Sequence, residues 1–488
     1  MADETTMQEG ELPWVKARVS MPRSAPTFVI AWSLEEPTRV GEVAPVTREC
    51  VLGRGGPPSE GDTTARLTFR RVRPPSMEPR SPSGEPLGGS RISRVQLRVK
   101  PDGDELLVEN VGRCAMQVNG VETNDARVRP GDTITLRNAL VIAVTRRMLT
   151  LPQLRAYDAP AHPFGRADKL GIVGESPAAW ALRDDLAFVA KSKLHVLVLG
   201  ESGTGKELAA RAIHAMSERA SKALVARNAA TFPEGLVDAE LFGSAKGYPN
   251  AGSPERPGLV GEADGSTLFL DEIGELPERL QAHLLRVLDA GGEYQRLGES
   301  RTMRSDLRLV AATNRSAADL KHDFAARLAA RVSLPPLATR TEDIPLLVGH
   351  IVRKLAEGTP ALRERFFEPT TSEPRLDPDL VERLLRHTFT HHLRELERLL
   401  FLAVSTSRGA FVELTREVEA ELRTQGATTS ASTDEPDEER VRAALGDAGG
   451  NVTRAARALG LKNRFALYRL MKRFGIEDDE GDPSASGA

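Results

Sequence analysis

A glycine-rich turn between an apolar run and an amphipathic helix constrains this chain more than any other feature. The run HVLVL precedes GESGTGKE and LAARAIHAM follows it, which is the order of strand, loop and helix that a P-loop requires. Glycines let the backbone curl so that its N–H groups and the helix N-terminus face phosphate groups, and a lysine adds positive charge. The sequence therefore predicts a binding site for ATP. The expected nucleotide contacts are Gly200, Glu201, Ser202, Gly203, Thr204, Gly205, Lys206 and Glu207.

Two adjacent carboxylates end a second apolar run. TLFLDEI places Asp271 and Glu272 at the carboxyl end of a predicted strand, and LVAATNR ends a third strand at Asn314. Alone, such an acidic pair is as often a solvated turn, but behind a P-loop it can divide the labour of hydrolysis. Asp271 would hold hydrated Mg²⁺, Glu272 would polarise the attacking water, and Asn314 would orient that water or sense the γ-phosphate. We therefore expect ATPase activity that depends on ATP and Mg²⁺.

Length and composition indicate a globular chain of several domains. The 488 residues exceed what one hydrophobic core usually supports and suggest about three domains. The apolar fraction of 40% and the charged fraction of 28% are ordinary for globular proteins. No apolar run is long enough to span a bilayer, and the acidic start MADETTMQEGE is unlike a signal peptide, so we expect a cytoplasmic protein without a membrane partner. Cys50 and Cys114 are too few for a disulfide framework, and we expect buried or unreactive thiols.

The periodicity of the sequence divides the chain into domains of different fold classes. Short β-type runs such as TFVIAW, RVQLRV and ALVIAVT, separated by turn residues, predict an all-β sandwich. Strands that alternate with helices predict a parallel α/β sheet, and purely helical periodicity after it predicts a helical lid. A final all-α unit is typical of a helix-turn-helix. The expected boundaries are 25–147 for the sandwich, 148–168 for a linker, 169–341 for the α/β core, 342–420 for the lid, 421–438 for a second linker, 439–476 for the helix-turn-helix and 477–488 for a disordered acidic tail.

Together these motifs resemble the sigma-54-dependent bacterial enhancer-binding proteins, which are AAA+ ATPases. The resemblance covers Leu170 to Leu400 and resumes near the C-terminus, and it makes Glu207 the normal residue at the end of the P-loop. LVARNAATF implies that Asn228 pairs with Glu272 and switches it with the nucleotide state. HHLRELER is similar to the family's GNVRELEN, which implies that Arg394 is a nucleotide-sensing arginine of the lid.

The same resemblance implies a catalytic site that a neighbouring subunit completes. LKHDFAARL looks like the family's FRxDLYYRL segment, so Arg327 would be an arginine finger, and Lys321 stands where a second arginine is expected. A lysine is a point charge without the planar fork of a guanidinium, so this substitution weakens the expected help to hydrolysis. Because the finger acts on the next subunit, the resemblance implies a closed homo-oligomeric ring, expected to be a hexamer. The alternative for these cations is an ordinary surface charge.

The loop through which this family contacts sigma-54 departs from its usual sequence. The family carries LFGHEKGAFTGA, whereas this chain has LFGSAKGYPNAG from Leu241 to Gly252. Pro249 and Asn250 stand where the aromatic residue and the threonine are expected, and proline fixes φ and removes a donor. Tyr248, one position earlier, is the alternative aromatic residue. RNA polymerase with sigma-54 is therefore an expected partner whose contact this loop puts in question.

The C-terminal unit has a strong excess of positive charge. Nine Lys or Arg residues and one acid, Asp447, lie between Arg440 and Arg473. Such an excess is the electrostatic footprint of phosphate binding, although a solvated helical face is the alternative. The arrangement resembles the Fis-type helix-turn-helix that ends sigma-54 activators, which implies binding to upstream promoter DNA. The expected DNA contacts are Thr453, Lys462, Asn463, Arg464, Tyr468 and Arg469.

The N-terminal β region resembles a forkhead-associated domain, a reader of phosphothreonine, through VLGRG, RISRVQL and MQVNG. Two positions depart from the family, because Gln96 replaces its structural histidine and Cys114 stands where it has an asparagine. A guanidinium beside a hydroxyl is what a dianionic phosphate needs. The resemblance implies a phosphothreonine protein or a Ser/Thr kinase as partner, and hence signalling by phosphorylation. The expected phosphopeptide contacts are Arg54, Ser93, Arg94, Arg113 and Asn119.

Three hypotheses for the function follow from these features. In the first, a phosphorylated partner binds the sandwich, the ring hydrolyses ATP, and the loop remodels sigma-54 RNA polymerase while the C-terminal unit holds DNA. In the second, an AAA+ DNA-binding regulator does not engage sigma-54, as the altered GYPNAG loop suggests. In the third, the chain is a phosphothreonine-dependent scaffold with a structural nucleotide site. ATP turnover that rises with protein concentration separates the third from the others, because a finger acting between subunits requires assembly.

Overall fold

The computed structural model describes most of the chain. The described residues are 24–55, 65–74, 84–149, 151, 153–158, 161–233, 235–289, 291–430, 438–448, 451–459, 467–468, 470–471, 474 and 476. By their contacts the residues form two compact units, one up to Ala420 and one from Glu421 onward. Within the described part, no helix has the length and apolar character that crossing a membrane requires.

The first unit begins with two β-sheets that share an apolar core. Its strands are β1 (Ser24–Ser33), β2 (Val43–Pro45), β3 (Cys50–Leu52), β4 (Ala65–Arg66), β5 (Leu97–Asp102), β6 (Glu105–Asn110), β7 (Met116–Val118), β8 (Val121–Glu122), β9 (Asp125–Val128), β10 (Thr133–Leu136) and β11 (Leu140–Met148). One sheet has the order β2-β1-β11-β10-β7-β8 and the other the order β4-β3-β5-β6-β9. In β5, Leu97 and Val99 are buried while Arg98 and Lys100 are exposed. This period of two turns one face of the sheet toward the core, which Phe28 of β1 enters from the other sheet.

Both cysteines are free thiols in these sheets. Burial raises the pKa of the Cys50 thiol to about 11. Burial also raises the pKa of Cys114, which is partly buried. Both thiols therefore stay protonated at neutral pH, in line with the sequence expectation of unreactive cysteines.

An irregular segment joins the sheets to the α/β part and is bonded to helix α1 (Pro177–Ala190). Asp184 of α1 accepts hydrogen bonds from the backbone N–H groups of residues 155–157 at 2.8, 2.7 and 3.1 Å. Arg183, also on α1, is fully buried and forms an ion pair with Asp168 at 2.8 Å. The first predicted linker thus lacks regular secondary structure where it is described, and side chains of α1 hold it in place.

A parallel five-stranded sheet forms the centre of the α/β part. Its strands are β12 (Val196–Leu199), β13 (Val225–Asn228), β14 (Thr267–Asp271), β17 (Arg308–Thr313) and β18 (Ala330–Ser333), and β15 (Glu293–Tyr294) and β16 (Met303–Arg304) form a separate hairpin. The order is β13-β14-β17-β12-β18, with all pairs parallel. The helices are α2 (Lys206–Ala215), α3 (Val237–Phe242), α4 (Gly258–Glu262), α5 (Glu278–Leu288) and α6 (His322–Arg327). Because the strands are parallel, their carboxyl ends lie on one edge of the sheet, where Gly200 and Asp271 are found.

Helices follow the sheet in the region where the sequence predicts a lid. They are a 3-10 segment (Leu337–Asp343), α7 (Ile344–Leu355), α8 (Pro360–Phe366), α9 (Pro378–Leu385), α10 (His392–Thr406) and α11 (Arg416–Ser430). α10 buries Leu396, Leu399, Leu400 and Ala403 at helical spacing. This buried stripe fixes the rotation of α10 and therefore determines where the polar residues at its start lie.

The β-sheets pack directly on the helices that follow the α/β sheet. Arg147 of β11 forms a buried ion pair with Glu342 of the 3-10 segment at 2.6 Å. The hydroxyl of Thr133, at the start of β10, donates to Glu382 of α9 at 2.9 Å. Since these four side chains are buried, the sheets and the lid share a specific contact surface within the first unit.

The second predicted linker, 421–438, is wrong in its first half because α11 continues to Ser430. Val418 and Leu422, one helical turn apart, are both buried, and no proline interrupts the helix before Ser430. Among the described residues that follow, α12 (Glu438–Asp447) and α13 (Val452–Ala458) are helices. The second unit has an apolar core of its own, which includes Val441, Val452, Ala455, Leu467 and Leu470.

Candidate nucleotide-binding site

The glycine-rich turn runs from the end of β12 to the start of α2. Gly203 and Gly205 have φ angles of 87° and 100°, a left-handed conformation that glycine adopts at little cost. Gly205 directly precedes α2, so the helix presents its N-terminus to the turn. A Cβ at Gly203 would lie 2.1 Å from the carbonyl oxygen of His391, so a larger residue there must displace the lid.

Lys206 is the first residue of α2, and its side chain is buried. Its Nζ donates to the carbonyl of Gly200 at 3.1 Å and lies 3.5 Å from Oε1 of Glu272. Glu272 follows β14 and has a left-handed φ of 49°, which turns the chain away from the strand. The ammonium group therefore lies where the glycine-rich turn meets the carboxylates of the neighbouring strand.

Asp271 is the last residue of β14 and is the register partner of Asn228 on β13. Its Oδ1 accepts the N–H of Glu272 at 3.0 Å. Burial raises the pKa of Asp271, and the positive charge of Lys206 only partly opposes this. Among the described residues, no group of three or more His, Cys, Asp or Glu could hold a metal ion. Mg²⁺ would still fit, because it binds through one or two carboxylates, water and phosphate oxygens.

These groups line one cavity of about 630 Å³. Residues 202–207 of the turn and the two carboxylates form one part of its wall, and Gly171–Val173 with Leu347 and Ile351 form an apolar part. Arg183 fixes the second part by donating to the carbonyl of Ile172 at 2.9 Å. The volume is that of a small-molecule site, and charged and apolar walls suit a ligand with both phosphate groups and a ring.

The first residues of α10 contact three consecutive residues of the glycine-rich turn. The contacts join Leu393 N to Gly203 O at 3.1 Å, His392 Nε2 to Glu201 Oε2 at 3.0 Å, and Arg394 to the hydroxyl of Ser202 at 3.2 Å. The N–H of Leu337 donates to Nδ1 of His392 at 3.5 Å, which leaves Nε2 as the nitrogen that donates to Glu201. The lid therefore rests on the turn and brings the guanidinium of Arg394 to the cavity.

Glu395 fixes the loop that leads into α10. Its carboxylate accepts the N–H groups of Thr390 and His391 at 2.8 and 2.9 Å and lies 2.6 Å from Nε2 of His387. Burial opposes the charged form, but the bond to His387 and these N–H groups outweigh it and lower the pKa of Glu395. The ionised carboxylate thus stabilises the loop that positions Arg394.

Comparison with known proteins decides the family. Residues 172–337 match the family described as "Sigma-54 interaction domain". The chain is 35% identical over 364 residues to the transcriptional regulatory protein ZraR of Salmonella typhimurium, covering 71% of this chain and 77% of that protein. It is 34% identical over 392 residues to the anaerobic nitric oxide reductase transcription regulator NorR of Escherichia coli O157:H7, covering 75% of each. The chain belongs to the sigma-54-dependent AAA+ transcriptional regulators.

A solved structure is similar to this regulator over part of its length. NtrX from Brucella abortus in complex with ATP is 30% identical, with 64% of this chain and 70% of that chain covered and a TM-score of 0.44. The family match itself spans the glycine-rich turn and both carboxylates and ends at Leu337, before the lid. The N-terminal sheets and the second unit lie outside residues 172–337, which the family match covers.

Four predicted catalytic residues of the regulator are not part of the described lining of the cavity, namely Asn228, Asn314, Lys321 and Arg327. Arg327 ends α6 and pairs with Asp289 at 2.7 Å. Lys321 precedes α6, and its backbone N–H donates to Gln281 at 3.0 Å. Asn314 follows β17 and is exposed. A role of these residues in hydrolysis therefore stays a prediction.

Two predicted residues form hydrogen bonds other than the expected ones. Oδ1 of Asn228 accepts the N–H of Ala230 at 2.9 Å, and the expected hydrogen bond between Asn228 and Glu272 is not formed. Glu207 lines the cavity, but its carboxylate is bonded to Arg211, one turn along α2, at 2.7 Å. Glu207 thus lies at the cavity and Asn228 lies beside Asp271, but the motifs did not reveal their hydrogen-bond partners.

Sequence reasoning missed the apolar wall of the cavity and Arg340 beside it. Gly171–Val173 belong to the irregular segment before α1, where no periodic pattern draws attention to them. Arg340 lies in the 3-10 segment before α7 and also lines the cavity. A resemblance to motifs of the P-loop could not find these residues, because only the folded chain brings them to it.

The substituted loop of the regulator is exposed, as a partner contact requires. Tyr248 is 40% exposed, and Pro249 and Asn250 are exposed as well. The tyrosine ring packs beside Gly298 of the β15–β16 hairpin, where a Cβ would lie 2.6 Å from it. Gly298 therefore leaves the space into which the ring of Tyr248 fits.

Four of the five predicted phosphothreonine contacts lie on loops that are bonded to one another. Arg54 N donates to the carbonyl of Ser93 and Arg113 N to its hydroxyl, both at 3.0 Å. Arg66 donates to the carbonyls of Arg54 and Arg94 at 3.3 and 2.7 Å. These bonds bring three exposed arginines and one hydroxyl to the same end of the sheets.

Gln96, which replaces the expected histidine, ties the same loops together. Its amide is buried, and it donates to Oδ1 of Asn110 at 2.7 Å and to the carbonyl of Cys114 at 2.9 Å. Its oxygen accepts the N–H of Ser93 at 3.1 Å. The substitution therefore keeps a buried polar link between the two loops.

Asn119 is not hydrogen-bonded to the other four predicted contacts, and its role in phosphopeptide binding stays a prediction. β7 separates it from Arg113, and it lies at the β7–β8 turn with a left-handed φ of 53°. Its amide donates to Asp132 at 2.8 Å and accepts the N–H of Thr133 at 3.0 Å. Its carbonyl accepts from Arg386, which directly follows α9, at 2.7 Å. The residue thus stabilises its own turn and faces the lid.

Most of the predicted DNA contacts lie outside the described residues. These are Lys462, Asn463, Arg464, Arg469 and the side chain of Thr453. Tyr468 is described, is helical, and is 40% exposed. DNA binding by this unit therefore stays a prediction.

Proposed function

We propose that this regulator binds ATP with Mg²⁺ in the P-loop cavity, hydrolyses it, and uses hydrolysis to remodel promoter-bound RNA polymerase. One observation carries the proposal: Lys206, the carboxylates Asp271 and Glu272, and the lid cation Arg394 line a single cavity. Phosphoryl transfer needs such a set, because its catalysis consists mainly of positioning the phosphates and stabilising their charge.

Each of these residues has a task in the proposed reaction. Lys206 and the N-terminus of α2 bind phosphate oxygens, and Arg394 adds a second cation from the lid. Asp271 would hold Mg²⁺, which supplies neutralisation of the phosphate charge. Glu272 orients the attacking water and accepts its proton; its carboxylate is partly exposed and lies 3.5 Å from Lys206.

A neighbouring copy completes the proposed site. Arg327 and its partner Asp289 are each about half exposed, and a surface ion pair of this kind is worth no more than about 1 kcal/mol. Arg327 can therefore exchange the carboxylate for a phosphate on an adjoining subunit, with Lys321 as a weaker second cation. This arrangement requires a closed homo-oligomeric ring, which we propose to be a hexamer.

The flanking parts provide the proposed input and output. The exposed arginines Arg54, Arg94 and Arg113 around the hydroxyl of Ser93 suit a phosphothreonine, so the input is a protein phosphorylated by a Ser/Thr kinase. The basic helical unit from Arg440 binds upstream promoter DNA as a helix-turn-helix. The forkhead-associated and Fis-type assignments of these parts belong to the same proposal.

The substituted loop favours a second function. Pro249 and Asn250 replace the two residues expected to contact sigma-54, and Tyr248 is engaged with Gly298. In this function the regulator keeps the ATPase ring and binds DNA but does not engage sigma-54. A phosphothreonine-dependent scaffold with a structural nucleotide site is the remaining candidate, and it requires no ATP turnover.

Reconstituted transcription separates these functions. The purified chain is mixed with sigma-54 RNA polymerase and a sigma-54 promoter, at protein concentrations high enough to replace tethering to upstream DNA. Three proteins are compared: the wild type, Lys206→Ala, and a variant in which GYPNAG at residues 247–252 is replaced by GAFTGA. ATP turnover of each protein is measured in parallel.

The first function predicts ATP-dependent transcripts from the wild type and none from Lys206→Ala. The second predicts ATP turnover by the wild type but transcripts only from the GAFTGA variant. Absence of ATP turnover in the wild type would exclude both and leave the scaffold.

A further inference from the structure

Arg340 is a buried cation in the wall of the nucleotide cavity, and no described residue forms an ion pair or side-chain hydrogen bond with it. It is 5% exposed and lies at a kink of the 3-10 segment, with φ of −136° and ψ of 43°. Its Nε is buried without an acceptor, and across the described chain no carboxylate forms an ion pair or hydrogen bond with the guanidinium. Burying an unpaired charge is costly, so this arrangement is stable only if something else compensates.

The carboxylate of Asp343, three residues from Arg340, already accepts three other hydrogen bonds. Asp343 is 1% exposed and accepts the backbone N–H groups of Glu175 and Ser176 at 2.7 and 2.9 Å and the hydroxyl of Ser176 at 2.6 Å. Burial lowers the pKa of Arg340, Asp343 partly opposes this, and the like charge of Arg183 adds to it. The fold therefore leaves a donor without an acceptor at this point of the cavity wall.

The surroundings of Arg340 indicate which part of a nucleotide meets it. Phosphates belong at the glycine-rich turn, on the wall that Lys206 and Arg394 provide. Arg183, whose charge acts on Arg340, is hydrogen-bonded to Ile172 of the apolar wall, and the 3-10 segment leads into α7, which adds Leu347. A flat ring with apolar faces suits this wall, and the acceptor atoms at the edge of a purine suit a guanidinium.

We infer that Arg340 recognises the purine base of the bound nucleotide by donating hydrogen bonds to acceptor atoms at the edge of the base. The inference rests on the proposed ATP site and adds the residue that makes the site selective for a purine. An acceptor atom on the base then forms the hydrogen bond that no described protein group forms with the guanidinium of Arg340. Because a hydrogen bond from a charged group is involved, its loss should weaken ATP binding roughly tenfold to a hundredfold.

Comparing two ligands separates the contribution of the base to binding affinity from that of the ribose and the phosphates. Dissociation constants for ATP and for ribose 5-triphosphate, which lacks the base, are measured by calorimetry on the full chain. Arg340→Met is compared with the wild type and with Arg331→Met, an exposed arginine on β18 that serves as the matched control. We expect Arg340→Met to lose affinity for ATP and to keep its affinity for ribose 5-triphosphate, while Arg331→Met behaves as the wild type.

The melting temperature of the nucleotide-free protein gives a second readout. Methionine removes an uncompensated buried charge, so Arg340→Met should melt at the same or a higher temperature than the wild type, whereas a structural role predicts a lower one. If Arg340→Met does not fold, Arg340→Lys keeps the charge without the planar fork and is tested by the same ratio of affinities.

Three results would overturn the inference. They are equal ATP affinity in Arg340→Met and the wild type, an equal loss for both ligands, or a lower melting temperature with an unchanged ratio of affinities. A wild type that binds neither ligand would instead remove the proposed nucleotide site itself.

Discussion

Removing the positive charge of Arg147 tests how firmly the N-terminal sheets are joined to the ATPase part. In Arg147→Met, the carboxylate of Glu342 loses its partner at 2.6 Å and the carbonyl of Glu175 loses a donor at 3.0 Å. The paired side chains are only 5% and 9% exposed, so water does not replace the lost contacts. Breaking a buried pair costs about 3–5 kcal/mol, and we expect the free energy of unfolding to fall by about that amount near pH 8.

The loss of stability in Arg147→Met should be larger at high pH than at low pH. Burial raises the pKa of Glu342 in the folded chain, and Arg147 opposes this shift. In Arg147→Met the opposition is gone, so the folded variant holds a proton that the unfolded chain releases more readily. The bound proton stabilises the folded variant at pH values below the ordinary pKa of a glutamate. This stabilisation is lost as the pH rises through the raised pKa of Glu342 in the folded chain. The difference in the free energy of unfolding between the wild type and Arg147→Met should therefore become smaller when the pH is lowered from about 8 to about 5.

Urea denaturation followed by far-ultraviolet circular dichroism measures this difference at both pH values. The double variant Arg147→Met with Glu342→Gln has no buried charge at this point and should regain most of the lost stability. Arg146→Met removes an exposed arginine from the same strand and controls for the loss of any arginine there. Equal stability of Arg147→Met and the wild type near pH 8, or a difference that widens on acidification, would refute the reasoning.

Three further outcomes are expected at other positions. Arg394→Ala removes the lid cation that contacts the glycine-rich turn, so kcat for ATP should fall roughly a hundredfold, and an unchanged kcat would contradict its placement. Gln96→Leu leaves two loops without their buried link, so the free energy of unfolding should fall by about 1–3 kcal/mol, whereas the exposed Gln295→Leu should have no effect in the same denaturation experiment. Glu395 has a lowered pKa, so its stabilisation is present above its ordinary pKa and is lost as the pH falls through the lower folded value. In Glu395→Gln, melting temperatures measured against pH should lack this acid-dependent decline, and a decline equal to that of the wild type would assign it to another group.

The charged residues of the cavity could be predicted because their chemistry is local in the sequence. Lys206 belongs to a short motif, and Asp271 ends an apolar strand. A parallel sheet then brings the ends of different strands to one edge, so two separate motifs predict one site. Arg394 required the family resemblance, because the periodicity of a helix does not distinguish it from a surface cation.

The environments of some residues depend on how distant parts of the chain pack together, and the sequence alone did not reveal them. Arg340 is one arginine among many, and what distinguishes it is burial without an ion-pair or hydrogen-bond partner among the described residues. Asn119 stands in the motif MQVNG, but the three residues of β7 separate it from Arg113, and its own turn and the lid use its polar groups. Helix α11 continues to Ser430 although Thr and Gly form helices poorly, so local propensity did not locate the end of this helix.

The central claim is that ATP bound at Lys206 is hydrolysed with the help of a guanidinium from the adjoining subunit. ATP turnover by mixed variants tests this claim most directly. Lys206→Ala lacks the phosphate-binding lysine and Arg327→Ala lacks the finger, so each protein alone should be inactive. In an assembly of both, some interfaces combine an intact Lys206 with an intact Arg327 from the next subunit. We predict that mixing restores turnover, which rises with total protein concentration. A mixture as inactive as its components, or full activity of Arg327→Ala alone, would contradict the claim.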